Sequence, residues 1–218
     1  MTRLKQQGAT HATKPMDSQT ETEHPLPAPG WDRLPGLGPS ICERRSQREY
    51  GGAMSQEDLS LIIAASYGKV SGQRRAVPSA GGLYPFDLHV LVNHVQGMEP
   101  GIYIYRADTH SLALRSAGPW GEELARAALG QRMCRDASVV LALVCVFGRT
   151  TRRYGERGYR YVYLDAGHVV QNTYLVATGL QLGCCGIAAF YDDETNRLFA
   201  VDGTERAVTY MAAVGRCL

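Results

Sequence analysis

Residues 139–147 read Val139-Val140-Leu141-Ala142-Leu143-Val144-Cys145-Val146-Phe147, and every side chain in the run is apolar. Its valines favour an extended backbone. The run is too short for a membrane-spanning helix, which takes about 20 residues. A strand that is apolar at consecutive positions, rather than at every second one, is covered on both faces. The stretch therefore reads as the middle of a central sheet with other elements packed above and below it, an α+β domain.

The surrounding sequence supplies those elements. Upstream, Asp87–Asn93 reads as a strand, and Ile102–Tyr105 with Ser111–Leu114 reads as a hairpin with Asp108 in its turn region. Ser55 followed by Asp58 resembles a capping box. It opens a helix through Leu59, Ile62, Ile63 and Tyr67 that Gly68 ends. Gly121–Leu129 is a short helix. Downstream, residues 159–182 form a long helix ended by Gly183, and Gly186–Phe190 a short strand. Asp192–Phe199 is a helix with an acidic first turn, and Val208–Val214 the last strand. Residues 148–158 read as a loop. Residues 1–36 are polar, lack periodicity, and are expected to form a flexible extension ahead of a domain over 37–218.

Composition narrows the function classes. The 218 residues carry a formal net charge of +2, too little for a nucleic-acid surface. No apolar run is long enough to span a membrane, and the N-terminus lacks the apolar core of a signal peptide, so a cytoplasmic protein is the expectation. The six cysteines include no C-x-x-C pair and no zinc-finger spacing, so no metal site is expected and most thiols read as buried and inert. Lys5, Lys14 and Lys69 are the only lysines. Arginine, whose forked donors suit phosphate, supplies the other cations.

Four segments carry candidate chemistry. Arg44-Arg45-Ser46-Gln47-Arg48 is either an anion site, through charge-assisted bidentate hydrogen bonds, or a solvated basic turn. Pro78-Ser79-Ala80-Gly81-Gly82-Leu83-Tyr84-Pro85 is either a backbone that a flat ligand can approach closely or simply a tight turn. No G-K-[ST] follows, so it is not a P-loop. Arg153-Tyr154-Gly155-Glu156-Arg157-Gly158-Tyr159-Arg160-Tyr161 leads into Asp165, His168 and Asn172. Steps of three and four put these last three on one helix face, where His168 is either a structural hydrogen-bonding residue or an acid–base group oriented by Asp165. A final strand ends in Gly215-Arg216.

In this order the segments, together with P-G-I-Y-x-Y at 100–105 and A-G-H-x-x-Q-N at 166–172, resemble the nitroreductase-like flavoproteins. They are most similar to the SagB-type dehydrogenases (thiazole/oxazole, or azoline, oxidases) of azole-forming peptide pathways. The resemblance runs from about Glu43 to Arg216. It implies an α/β sandwich with a mainly antiparallel sheet flanked by helices, FMN as cofactor, and a homodimer with the flavin at the interface. By position it assigns Arg44, Arg45, Ser46 and Arg216, with Gly215 beside it, to the phosphate and ribityl chain. Arg48 falls at the pyrimidine edge, and Pro78, Ser79, Ala80, Gly81 and Gly82 lie along the ring with Asn172 nearby. Gly186 and Ile187 face the ring near N5.

Many general nitroreductases carry Asn where this chain has Gly82, so the glycine form fits the peptide-oxidase branch. Azoline oxidases of that branch are described with a Lys-Tyr pair as base. Here no lysine follows Lys69, and the nearest similar dipeptide is Arg160-Tyr161. Arginine stays protonated, which leaves Tyr161 and His168 as the candidate catalytic groups. The 36 leading residues are too few for a separate leader-peptide-binding domain. Three readings follow. One is an FMN-dependent dehydrogenase or oxidase acting on a peptide-derived or small-molecule substrate. Another is an NAD(P)H-dependent nitro- or quinone reductase. The last is a flavin-binding partner subunit working with a cyclodehydratase-like protein.

Overall fold

The computed structural model describes residues 35–218; the extension expected over 1–36 lies outside them apart from its last two residues. The chain runs α1 (Leu37–Glu43), α2 (Gln56–Tyr67), β1 (Lys69–Ser71), β2 (Arg74–Arg75), β3 (Phe86–Val92), β4 (Gly101–Arg106) and β5 (Ser111–Ala117). It continues through α3 (Gly121–Ala127), α4 (Met133–Asp136), β6 (Val139–Val146), α5 (Gly148–Tyr154), α6 (Arg157–Gly179), β7 (Gly183–Ile187), α7 (Asp192–Leu198) and β8 (Arg206–Gly215). The main sheet has the order β5-β4-β3-β6-β8-β7, and every neighbouring pair is antiparallel.

β6 is central, as its apolar run requires. Val139, Leu141, Leu143 and Cys145 point into one core with Leu59 and Ile63 of α2 and Val162, Ala166 and Val169 of α6. Val140, Ala142 and Val144 point into the other, against Leu124 of α3, Met133 of α4 and Phe199 beyond α7. Burying each such side chain contributes roughly 1.5–3 kcal/mol. Ser55 caps α2 as expected, its hydroxyl accepting the Asp58 N–H at 3.0 Å.

The chain departs from the sequence reading around α6. Residues 148–154 are helix α5, not loop. Gly155 ends α5 at φ 57°, a left-handed conformation that suits glycine. A Cβ on Gly158 would lie 3.0 Å from the Thr151 backbone, so this glycine lets α6 start hard against α5. The long helix stops at Gly179, four residues before Gly183, because Gln181 turns left-handed at φ 59°. Gly183 opens β7, which ends at Ile187 rather than running to Phe190. The small β1–β2 hairpin and α4 had no distinct apolar pattern to announce them.

Candidate functional site

The glycine turn is fixed from beneath by one carboxylate. Asp165, on α6 and almost fully buried, accepts the Ser79 hydroxyl at 2.6 Å and the Ala80 N–H at 3.2 Å. The Ser79 oxygen in turn accepts the Tyr84 N–H at 2.9 Å. Gly81 and Gly82 both sit at positive φ, 61° and 66°. A Cβ on Gly82 would meet nothing within 4 Å, so its backbone faces open space. A Cβ on Gly81 would strike the Tyr154 hydroxyl at 2.6 Å and the Arg153 guanidinium at 3.2 Å. A flat ligand can therefore pass over Gly82 with a phenol and a cation beside it. Pro78 precedes the turn and is exposed.

The expected Asp165–His168–Asn172 face divides into three roles. Asp165 is committed to the turn. His168 faces solvent, with Nδ1 4.0 Å from the Asp165 carboxylate and a side chain 48% exposed, so it is not a buried hydrogen-bonding residue. The Asn172 amide donates to the carbonyls of Ala65 and Ala76 at 3.0 and 3.3 Å and ties α6 to α2 and to the approach of the turn.

Tyr161 packs edge-on against Tyr154 with ring centroids 5.0 Å apart, and Arg160 is exposed. The Arg-Tyr pair at the glycine turn is Arg153-Tyr154, with the Arg153 guanidinium 5.5 Å from the Tyr154 ring centre. The signal that could have found it is Gly155. A left-handed stop there places Tyr154 in the final turn of a helix, where it can project past the helix end.

At the far end of α6, Tyr174 gathers two distant segments. Its hydroxyl accepts the Gly186 N–H at 2.7 Å and shares a hydrogen bond with the Ser46 hydroxyl at 3.0 Å. The Arg44 guanidinium lies 5.2 Å from its ring centre, close enough for a cation–π attraction. Ser46 also bridges to Cys184, whose carbonyl accepts the Gln47 N–H at 3.0 Å. The first motif and β7 thus form one surface through a tyrosine that sequence reasoning passed over, since a lone tyrosine at helical spacing looks like core.

Arg44 and Arg45 line an open cleft of about 580 Å³ with Glu43 and Gln47. Arg48 is exposed and reaches the Ser46 carbonyl at 3.4 Å. Arg216 is exposed and donates to the Ala53 carbonyl at 2.9 Å through Nε. The neighbouring Gly215 is a close-packing residue, because a Cβ there would lie 2.8 Å from the Ser138 nitrogen. Gly186 has no room for a side chain either, since the Tyr210 hydroxyl fills that space. The Ile187 side chain is buried in the core, so only its backbone is available to a ligand.

Two of the thiols, Cys42 and Cys217, line the same cleft as Arg44 and Arg45, and the others are sealed off from it. Cys134, Cys145, Cys184 and Cys185 are buried, while Cys42 and Cys217 are exposed. Desolvation pushes Cys134 and Cys145 up to about 12 and Cys184 upward as well. At neutral pH these three stay protonated. Among the described residues, no helix is long and apolar enough to cross a membrane.

The family model described as "Nitroreductase family" matches residues 41–216. A Methanocaldococcus jannaschii protein described as a nitroreductase is 43% identical over 164 residues, covering 74% of this chain and 82% of that one. The trifolitoxin-processing protein TfxB of Rhizobium leguminosarum bv. trifolii is 34% identical over 114 residues, 50% of this chain and 31% of the relative. The microcin B17-processing protein McbC of Escherichia coli is 27% identical over 156 residues, 69% of this chain and 55% of the relative. This chain therefore matches about half or less of either peptide-processing protein.

Among solved structures, an Anabaena variabilis nitroreductase-like protein superposes with TM-score 0.74 at 30% identity, over 84% of this chain and 38% of that one. A chain of the E. coli microcin synthetase McbBCD complex with truncated pro-MccB17 gives 0.72 at 18% identity, over 95% and 79%. A Desulfovibrio desulfuricans nitroreductase-like protein in complex with FMN gives 0.60 at 22% identity, over 84% and 86%.

Proposed function

The chain belongs to the nitroreductase family, an oxidoreductase family, and on that premise we propose that it is an FMN-dependent dehydrogenase of the SagB type that oxidises a peptide-borne azoline to an azole. The carrying observation is the glycine turn. Gly82 offers open backbone, Asp165 holds the turn rigid, and the Tyr154 phenol and Arg153 guanidinium stand at Gly81. The peptide-processing relatives TfxB and McbC support the choice of substrate class. The E. coli microcin synthetase complex with its bound precursor peptide supports a partner complex, for which we propose a cyclodehydratase-like protein.

The donor set fits FMN. Arg44, Arg45 and Ser46 would supply charged and hydroxyl donors for a phosphate, and Arg216, which does not line the Arg44–Arg45 cleft, would add a further cation. The turn from Ser79 to Gly82 and the backbone at Gly186 and Ile187 supply the flat walls. Held by these residues, FMN would supply a two-electron hydride acceptor. The chain's own groups manage the proton. We assign that proton to Tyr154 in place of Tyr161 or His168, because its phenol stands at Gly81 with the Arg153 guanidinium beside it. By its place in the motif, Arg48 would add positive charge at the pyrimidine edge of a bound ring. A homodimer would close the exposed side of the turn, and a cytoplasmic setting suits the exposed thiols.

A second reading is an NAD(P)H-fed nitro- or quinone reductase, which the 43% identity to the M. jannaschii protein favours. The cofactor assignment is tested by replacing Arg44 and Arg216 together with Ala. The purified variant should lose its yellow colour or bind added FMN at least tenfold more weakly, because a phosphate dianion loses two charged partners. Unchanged flavin content would place the phosphate elsewhere.

A further inference from the structure

Between α2 and the β4–β5 hairpin, three side chains outside the flavin surface form a hydrogen-bonded chain. The Ser60 hydroxyl lies 2.8 Å from His110 Nε2, and His110 Nδ1 lies 2.8 Å from the Tyr105 hydroxyl. Tyr105 is buried and its ring also packs edge-on against the imidazole at 5.6 Å between centroids. The three border one cavity of about 310 Å³, whose apolar wall is Leu59, Ile63, Met98 and Leu112.

A nucleophile within hydrogen-bond reach of a base, with the base oriented by a third group, is the signature of an activated hydroxyl. His110 sits in the β4–β5 turn at φ 46°, a left-handed backbone that histidine takes more readily than most side chains. A further observation fits. One helical turn before Ser60, Gln56 lines the same cavity. Its Nε2 donates one hydrogen to the Gln96 carbonyl at 2.9 Å and has a second hydrogen left. That amide can serve a developing oxyanion.

We propose that Ser60, His110 and Tyr105 form a second, acyl-transfer site that accepts small esters with a short apolar acyl group. His110 carries its proton on Nδ1 and donates it to the Tyr105 oxygen, which leaves Nε2 free to accept from Ser60. Burial raises the Tyr105 pKa and keeps the phenol a neutral acceptor. Ser60 Oγ bonds to the acyl carbon as the ester C–O bond breaks. Its proton moves to His110 Nε2 and on to the departing alcohol oxygen. Water repeats the exchange, releasing the carboxylic acid and restoring Ser60.

The test uses the full chain and p-nitrophenyl butyrate, with nitrophenolate release followed by absorbance and the butyryl group located by peptide mass spectrometry. The expected result is a butyryl adduct on Ser60, lost in Ser60→Ala. In His110→Gln, which removes the base but keeps a polar side chain, release should slow by about a hundredfold or more. Flavin absorbance and Tm report folding of each variant independently, since no residue of this site belongs to the flavin surface. If Ser60→Ala does not fold, adduct mapping on the unaltered chain and the rate of His110→Gln carry the decision. Absence of an adduct on Ser60, or equal release by His110→Gln, overturns the proposal and leaves the chain of hydrogen bonds as a staple between the hairpin and α2.

Discussion

Asp165 shows how a residue's role depends on what the fold brings to it. From spacing it stands beside His168 and Asn172, and orienting the histidine is one of the two readings that spacing leaves open. In the folded chain its carboxylate is occupied by Ser79 and Ala80, residues far upstream. Spacing fixes which residues share a helix face, but it does not say which loop comes to rest on that face. The same limit hid Tyr154 and Tyr174, whose importance comes from contacts with Gly81 and Gly186 rather than from their neighbours in sequence. The glycine and arginine motifs were legible, because open backbone and anion binding each demand particular residue types. Asp165→Asn keeps the shape but loses the charge that the turn's donors satisfy. It should cost about 1–3 kcal/mol of stability and weaken FMN retention, read by urea unfolding and by flavin release on dilution. A variant equal to the parent in both would show that the turn holds itself.

Helix α5 and the start of α6 carry the Arg153-Tyr154 pair to the turn, and Gly158 sets how closely those helices meet. Gly158→Ala places a methyl against fixed backbone, so the helices must part. The expected cost is about 1–3 kcal/mol, visible as a lower urea midpoint, with Tyr154 moved off Gly81. An unchanged midpoint would mean that the α5–α6 contact is looser than described. Most elements were legible because their apolar periods are long. β6 gave the sheet its middle, and Ser55 gave α2 its start. The misplaced boundaries at 148–158 and 179–187 lie where short elements adjoin and glycines serve packing as well as termination. Gly183 reads as a helix stop, yet it is a strand residue pressed against Gln47 and Tyr50.

The sheet separates the core that carries the glycine turn, formed with α2, α5 and α6, from a second core under α3, α4 and α7. That second core holds His89, 2% exposed, with neither ring nitrogen hydrogen-bonded among the described residues. Desolvation lowers its pKa to about 4; Asp87 opposes the shift and Arg206 and Arg115 assist it. The folded state keeps the ring neutral while the unfolded chain takes up a proton near pH 6.5. Stability from this group is therefore complete above about pH 6.5 and falls as pH drops toward 4, by about 3 kcal/mol in all. Urea midpoints between pH 7 and 4 should fall more steeply for the parent than for His89→Leu; parallel curves would contradict a neutral buried imidazole. The central claim concerns the other face. Its most direct test is anaerobic mixing of the purified yellow chain with an azoline-containing peptide and no nicotinamide. Bleaching of the flavin band with loss of two hydrogens from the peptide is predicted, slowed at least tenfold in Tyr154→Phe. No bleaching with the peptide, together with rapid bleaching by NADPH, would contradict the account.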